Sequence, residues 1–172
     1  MQPWRRRPPR GILSVGGRTA WTAVARKEVR AVEVARWMKK PVLTVKPLDS
    51  LAHAREVMAT HRVNQLPVVV DGRLLGIITD RDVREASPSV FDELRDRRPA
   101  GTADPQHITV EQVMSRDVLT VAPTTSIVEA ARVMRRERIG AVPIVQRDVL
   151  VGILTRSDLL DAFVALAEQT GF

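Results

Sequence analysis

Gly76-Ile77-Ile78-Thr79-Asp80-Arg81-Asp82 and Gly152-Ile153-Leu154-Thr155-Arg156-Ser157-Asp158 are one stretch met twice. Each is an apolar run that ends at a threonine and carries an aspartate three residues later, the pattern of a β-strand passing straight into the first turn of a helix. A shift of 76 residues aligns positions 38–83 with 114–159 without a gap, and 18 of these 46 positions are identical. Chance would give only a few matches, so the chain contains an internal duplication. The identities fall on landmarks: Met38 and Met114, Pro47 and Pro123, Met58 and Met134, Pro67 and Pro143, and the ends of the two opening stretches.

Both copies share one grammar. A short helix at about residues 32–38 or 110–114 leads to a brief strand at 42–45 or 118–121, closed by a proline that has no N–H to give to a ladder. Ser50 and Ser126, or the residue before each, cap an amphipathic helix. Its apolar positions include Leu51, Ala54, Val57 and Met58 in one copy and Ile127, Ala130, Val133 and Met134 in the other. Two β-rich runs follow, 66–70 with 74–79 and 142–145 with 150–155. Asp71-Gly72 is a strong hairpin signal and Arg147-Asp148 a weaker one. Helices beginning near Asp80 and Ser157 complete the units. Neither half would bury its apolar sheet face well alone. The expected fold class is therefore α+β, with two βαββα repeats packed sheet to sheet about a pseudo-twofold axis and two clefts related by that axis. The expected boundaries are a tail over 1–31, repeat 1 over 32–88, a linker over 89–107 and repeat 2 over 108–172. The linker region carries Pro99, Gly101, Pro105 and the charged run DELRDRR, with a short helix expected at 91–95.

Composition narrows the function. The net charge of +7 invites a nucleic-acid reading, but residues 1–30 hold eight of the 27 basic residues and one of the 20 acidic ones. The rest of the chain is therefore neutral overall. A nucleic-acid groove needs basic residues interleaved with stacking aromatics, and after residue 30 the aromatics are Trp37, Phe91, Phe163 and Phe172. Nucleic acid is thus not expected as a partner except through the tail. That tail, with Pro3, Pro8, Pro9, Gly11, Gly16 and Gly17, has neither helical nor strand periodicity and reads as a disordered basic arm. No apolar run approaches the roughly 18 residues needed to span a bilayer, so no membrane partner is expected. The absence of cysteine removes thiolate metal sites and cysteine nucleophiles and is compatible with a cytoplasmic location. His53, His61 and His107 lack metal-ligand spacing. There is no nucleophile elbow, no phosphate-cradling glycine loop and no histidine beside a candidate nucleophile, so an enzyme is not expected.

The βαββα unit with its LPVVV strand, the LLGIITDRD and LVGILTRSD ends and the tandem duplication resemble a pair of cystathionine-beta-synthase (CBS) domains, the Bateman module, here of the stand-alone bacterial type. The resemblance covers about residues 32–168. It implies a regulatory sensor that binds adenosine-containing ligands (AMP, ADP, ATP or S-adenosylmethionine) in clefts between the repeats. No catalytic cofactor is implied. A homodimer and an effector protein outside this chain complete the picture.

Ribose chemistry fits the opening stretches. Asp82 or Asp158 offers two acceptor oxygens to vicinal hydroxyls, Thr79 or Thr155 adds a hydroxyl, and helix-start N–H groups favour a nearby anion. Arg81 supplies further charge in the first copy, where the second has Ser157. The resemblance also implies that each cleft takes its adenine-facing wall from the opposite repeat. Thr79, Arg81 and Asp82 then face Leu119, Ile139 and Gly140, while Thr155 and Asp158 face Leu43, Val63 and Asn64. One departure stands out: Gln65 and Ala141 occupy positions where family members that hold nucleotide phosphates firmly often carry a base. Two other readings stay open. Thr-x-x-Asp at a helix start is also a capping box, and the pair of repeats would serve equally as a dimerisation or docking module with vestigial clefts.

Overall fold

The computed structural model describes residues 32–86 and 107–169. Each repeat contributes one amphipathic helix, one hairpin and one closing helix. In repeat 1 these are α1 (Leu51–His61), β1 (Gln65–Val70), β2 (Arg73–Thr79) and α2 (Asp80–Ala86). Repeat 2 begins with a single helical turn, α3 (Val110–Val113), and continues with α4 (Ile127–Arg136), β3 (Ala141–Gln146), β4 (Val149–Thr155) and α5 (Arg156–Gln169). The helix starts are capped as the sequence suggests: Ser50 Oγ accepts from His53 N and Ser126 Oγ from Glu129 N, both at 3.1 Å. The expected helix at 91–95 lies outside the described residues.

Both hairpins turn through two residues in the left-handed region, Asp71 and Gly72 (φ +50° and +80°) and Arg147 and Asp148 (φ +51° and +65°). This backbone matches the right-handed twist of the flanking strands, which is why such turns close two-residue hairpins. The weaker sequence signal at Arg147-Asp148 therefore adopts the same turn, because the strands on either side fix it. The strands form one antiparallel sheet of order β1-β2-β4-β3. Its two halves join at a single pair, Arg73 with Val149. These positions correspond under the 76-residue shift, so the pseudo-twofold axis passes between them.

The expected strands at 42–45 and 118–121 are shorter than the sequence suggests. Only Val45 and Val121 form bridges, parallel ones to Val68 and Ile144. Pro47 and Pro123 follow two residues later, and the intervening chain turns away from the sheet.

The leading segments hold the main difference from expectation. The sequence order makes each the first element of its own repeat, but each docks on the other one. Val34 N donates to Thr125 O (2.9 Å), Ala35 N to Pro123 O (3.1 Å), and Ile127 N to Val32 O (2.8 Å). The mirror set is Val110 N to Asp49 O (2.8 Å), Glu111 N to Pro47 O (3.0 Å) and Leu51 N to Ile108 O (2.9 Å). Two antiparallel bridges extend the exchange, Lys39 with Ile153 and Ser115 with Ile77. Helical structure over 32–38 shrinks to a 3-10 turn at Val34–Arg36 because its backbone groups are used across the repeats.

The cores follow the exchange. Val110 and Met114 are buried with Leu51, Ala54, Met58, Leu66, Val68, Ile78 and Val83 of repeat 1. Val34 is buried with Ala130, Met134, Val142, Ile144 and Leu154 of repeat 2. A fully buried valine contributes about 1.5–3 kcal/mol and a net hydrogen bond about 1 kcal/mol. The exchanged segments therefore bind the repeats together more strongly than the single Arg73–Val149 pairing does.

Candidate functional site

The β2–α2 and β4–α5 junctions have the same local geometry. Asp82 Oδ2 accepts from Thr79 N (2.8 Å) and Thr79 Oγ1 (2.7 Å), while Asp82 N donates to Thr79 Oγ1 (3.2 Å). Asp158 Oδ2 likewise accepts from Thr155 N and Thr155 Oγ1, both at 2.7 Å, and Asp158 N donates to Thr155 Oγ1 at 3.4 Å. These are reciprocal caps that satisfy orphan donors at a helix start. They also redistribute the roles expected from sequence. The threonine hydroxyl gives its hydrogen to the aspartate, so the threonine positions the carboxylate. One carboxylate oxygen, Oδ2, is filled by the turn, which leaves Oδ1 as the acceptor with free lone pairs.

Asp158 lines a cavity of about 350 Å³. Its lining gathers all five residues assigned to this cleft from sequence: Thr155 and Asp158 from repeat 2, and Leu43, Val63 and Asn64 from repeat 1. The exchanged segment explains how they meet, since the Lys39–Ile153 bridge brings the chain before Leu43 onto β4. Asp158 is 1% exposed, a buried carboxylate whose position is set by its cap.

Two residues that sequence reasoning passed over also line this cavity. Lys39 places Nζ 3.4 Å from Asp158 Oδ1, the oxygen that the cap leaves open. Arg62, the left-handed C-cap of α1 (φ +54°), contributes a second cation to the wall. The available signal was the mismatch between copies: Lys39 aligns with Ser115, and attention to identities hides such positions.

The mirror site is built on the Thr79–Asp82 turn. Thr79 and Asp82 are joined by hydrogen bonds, and Leu119, Ile139 and Gly140 hold the positions that mirror Leu43, Val63 and Asn64. Gly140 lies beside repeat 1, where an added Cβ would come within 3.2 Å of Gln65 Oε1. Arg81 points elsewhere. Its Nε is 2.6 Å from Glu85 Oε1 on the exposed side of α2. The hydrogen bond to Glu85 and then the charge of Glu85 raise its pKa above the ordinary arginine value. The first copy's extra cation is thus engaged outside the turn rather than at Asp82.

Among the described residues no group of histidine, cysteine and carboxylate side chains is arranged to hold a metal ion, and no helix is long and apolar enough to cross a membrane.

The sequence model of the CBS domain matches residues 29–89 and 110–165, more than half of the chain. The protein belongs to the CBS domain family. Its two matched segments make it a CBS pair. It is 34% identical over 139 residues to a CBS domain-containing protein of Dictyostelium discoideum, covering 80% of this chain and 94% of that one. Among solved structures it is similar to CBSX2 in complex with AMP (27% identity, TM-score 0.65, 78% of this chain and 98% of that one). It is also similar to the CBS domain pair of protein MJ0100 in complex with 5-methylthioadenosine and S-adenosyl-L-methionine (26% identity, TM-score 0.63, 78% and 98%). The α+β class and the paired repeats expected from sequence are those of this family.

Proposed function

We propose that this CBS pair is a regulatory sensor that binds adenosine-containing ligands (AMP, ADP, ATP or S-adenosylmethionine) between its repeats and has no catalytic activity of its own. The observation that carries the reading is the buried Asp158 in the wall of a cavity that Leu43, Val63 and Asn64 of the opposite repeat also line. A cavity of this size falls within the range of small-molecule sites, and its mixed lining suits a flat apolar base attached to a polar sugar. Neighbours of the same fold were solved with AMP, 5-methylthioadenosine and S-adenosyl-L-methionine, which supports the ligand class. Because both walls come from different repeats, a ligand that fits the cleft stabilises one repeat–repeat geometry over others, and a partner can read that geometry. An effector protein outside this chain and a cytoplasmic location belong to the same reading. Calorimetric titration with AMP, ATP and S-adenosylmethionine is expected to show binding at sub-millimolar concentration by at least one of them. If all three fail to bind, the protein is a docking module with vestigial clefts instead.

The reading includes a homodimer. Leu160, Phe163 and Val164 on α5 are 66%, 69% and 52% exposed and share one helical face through their i, i+3 and i+4 spacing. A second copy of the chain, meeting this stripe with its own, would cover it symmetrically. Phe163→Glu is expected to convert a dimer to a monomer in sedimentation velocity without lowering helix content. A wild-type monomer at micromolar concentration would remove the dimer from the proposal.

A further inference from the structure

The two clefts share a turn but differ in where their cations sit. Lys39 and Ser115 are equivalent in the duplication and are held by equivalent bridges, to Ile153 and Ile77. Their backbones are therefore placed alike, and the difference lies in the side chain. In one cleft an ammonium stands 3.4 Å from the carboxylate oxygen that the helix cap leaves free. In the other, a short hydroxyl stands at that position, and Arg81 of the neighbouring turn is held by Glu85 on the exposed side of α2. Total charge does not distinguish the Asp158 cavity, whose lining sets Lys39 and Arg62 against Asp158 and Asp161. The placement does. Lys39 is 68% exposed at its side chain while Asp158 is 2% exposed, so the carboxylate is fixed and the ammonium is free to swing on its four-carbon stem.

We propose that Lys39 makes the Asp158 cleft selective for phosphorylated adenosine ligands over uncharged ones, and that the Ser115-containing cleft lacks this selectivity. The inference rests on the sensor reading above. A ribose that hydrogen-bonds to Asp158 Oδ1 competes with Lys39 for that oxygen. An uncharged nucleoside displaces the ammonium and offers nothing in return. A ligand carrying a phosphate re-pairs the displaced ammonium, and Arg62 in the cavity wall adds a second, planar donor set. The chain thereby has cations for a phosphate at Lys39 and Arg62, although Gln65 and Ala141 supply none.

The test is calorimetric titration of the full chain with AMP and with adenosine, in an Asp82→Ala background that silences the other cleft. AMP is expected to bind about tenfold or more tightly than adenosine, the scale of one charge-assisted hydrogen bond. Lys39→Ser is expected to bring the two affinities within about threefold, by weakening AMP and strengthening adenosine. Lys39→Arg should keep the preference. The converse variant, Ser115→Lys in an Asp158→Ala background, should introduce a preference for AMP. If AMP binds through Asp158 and the AMP-to-adenosine ratio is unchanged by Lys39→Ser, the role of Lys39 is overturned while the sensor reading stands. If AMP and adenosine both fail to bind, or bind indifferently to Asp82 and Asp158, this inference falls, while the sensor reading falls only if ATP and S-adenosylmethionine fail to bind as well. Lys39 is exposed, so its variants are expected to melt within a few degrees of the parent, and a collapse of the fold would itself contradict its assignment as a mobile cleft residue.

Discussion

Asp158→Ala is expected to weaken adenosine-ligand binding in its cleft by about 10–100-fold, the equivalent of removing hydrogen bonds to a charged acceptor worth about 1.5–3 kcal/mol. The loss follows from Asp158 lining the cavity with one carboxylate oxygen that the cap does not use. The same substitution leaves Thr155 N without its acceptor at the start of α5, so stability should fall by about 1 kcal/mol through the lost cap. The two consequences separate by measurement. Thermal unfolding reports the cap, and calorimetric stoichiometry reports the cleft, with binding in the Asp82 cleft retained. Asp82→Ala should do the converse, and the double variant should bind at neither site. Normal affinity in the double variant would defeat the assignment of both aspartates as ligand acceptors.

Gly76→Ala should destabilise the protein by about 1–3 kcal/mol, the range for overpacking a well-filled interior. An added Cβ at Gly76 would lie 2.6 Å from Met114 Sδ and 2.8 Å from Ser115 O. The sulfur is the end of a flexible side chain, but Ser115 O is backbone and is bonded to Ile77 N across the repeats at 2.9 Å. The added methyl therefore presses directly on the joint between the halves. Met114→Ala alone should cost about 2–5 kcal/mol, because Met114 is buried in the core of repeat 1. Combined, the two should cost less than their sum, since the space vacated by Met114 accepts the new methyl group. Denaturant unfolding of the four proteins in this cycle checks the coupling. Strict additivity would mean that the leading segment of repeat 2 does not dock on repeat 1 as described.

The site was legible in part, for reasons that differ residue by residue. Thr79, Asp82, Thr155 and Asp158 stand at a strand-to-helix junction that local pattern defines, and duplication marks them twice. Their mutual hydrogen bonds follow from a helical turn, so the capping role could be read from spacing alone. What spacing did not show is that the cap consumes one oxygen of each carboxylate and the hydrogen of each threonine hydroxyl. Arg81 was legible as a cation near Asp82, but an i,i+4 partner, Glu85, competes for it on the helix surface. Lys39 belongs to no motif. Its importance comes from meeting Asp158, a residue of the other repeat, and nothing local to either predicts the meeting.

The amino-acid sequence by itself determined the two-fold duplication, the order of helices and hairpins within each unit, the α+β class and the pair of threonine–aspartate turns. All of these depend on periodicity, capping and turn chemistry, which act over a few residues. The tertiary structure alone decided which repeat receives each leading segment. Val34 and Val110 carry apolar patterns suited equally to either half, because duplicated halves present equivalent grooves, and only the path of the chain in space selects the opposite one. That selection carries Lys39 to β4, and with it sets the chemical difference between the two clefts.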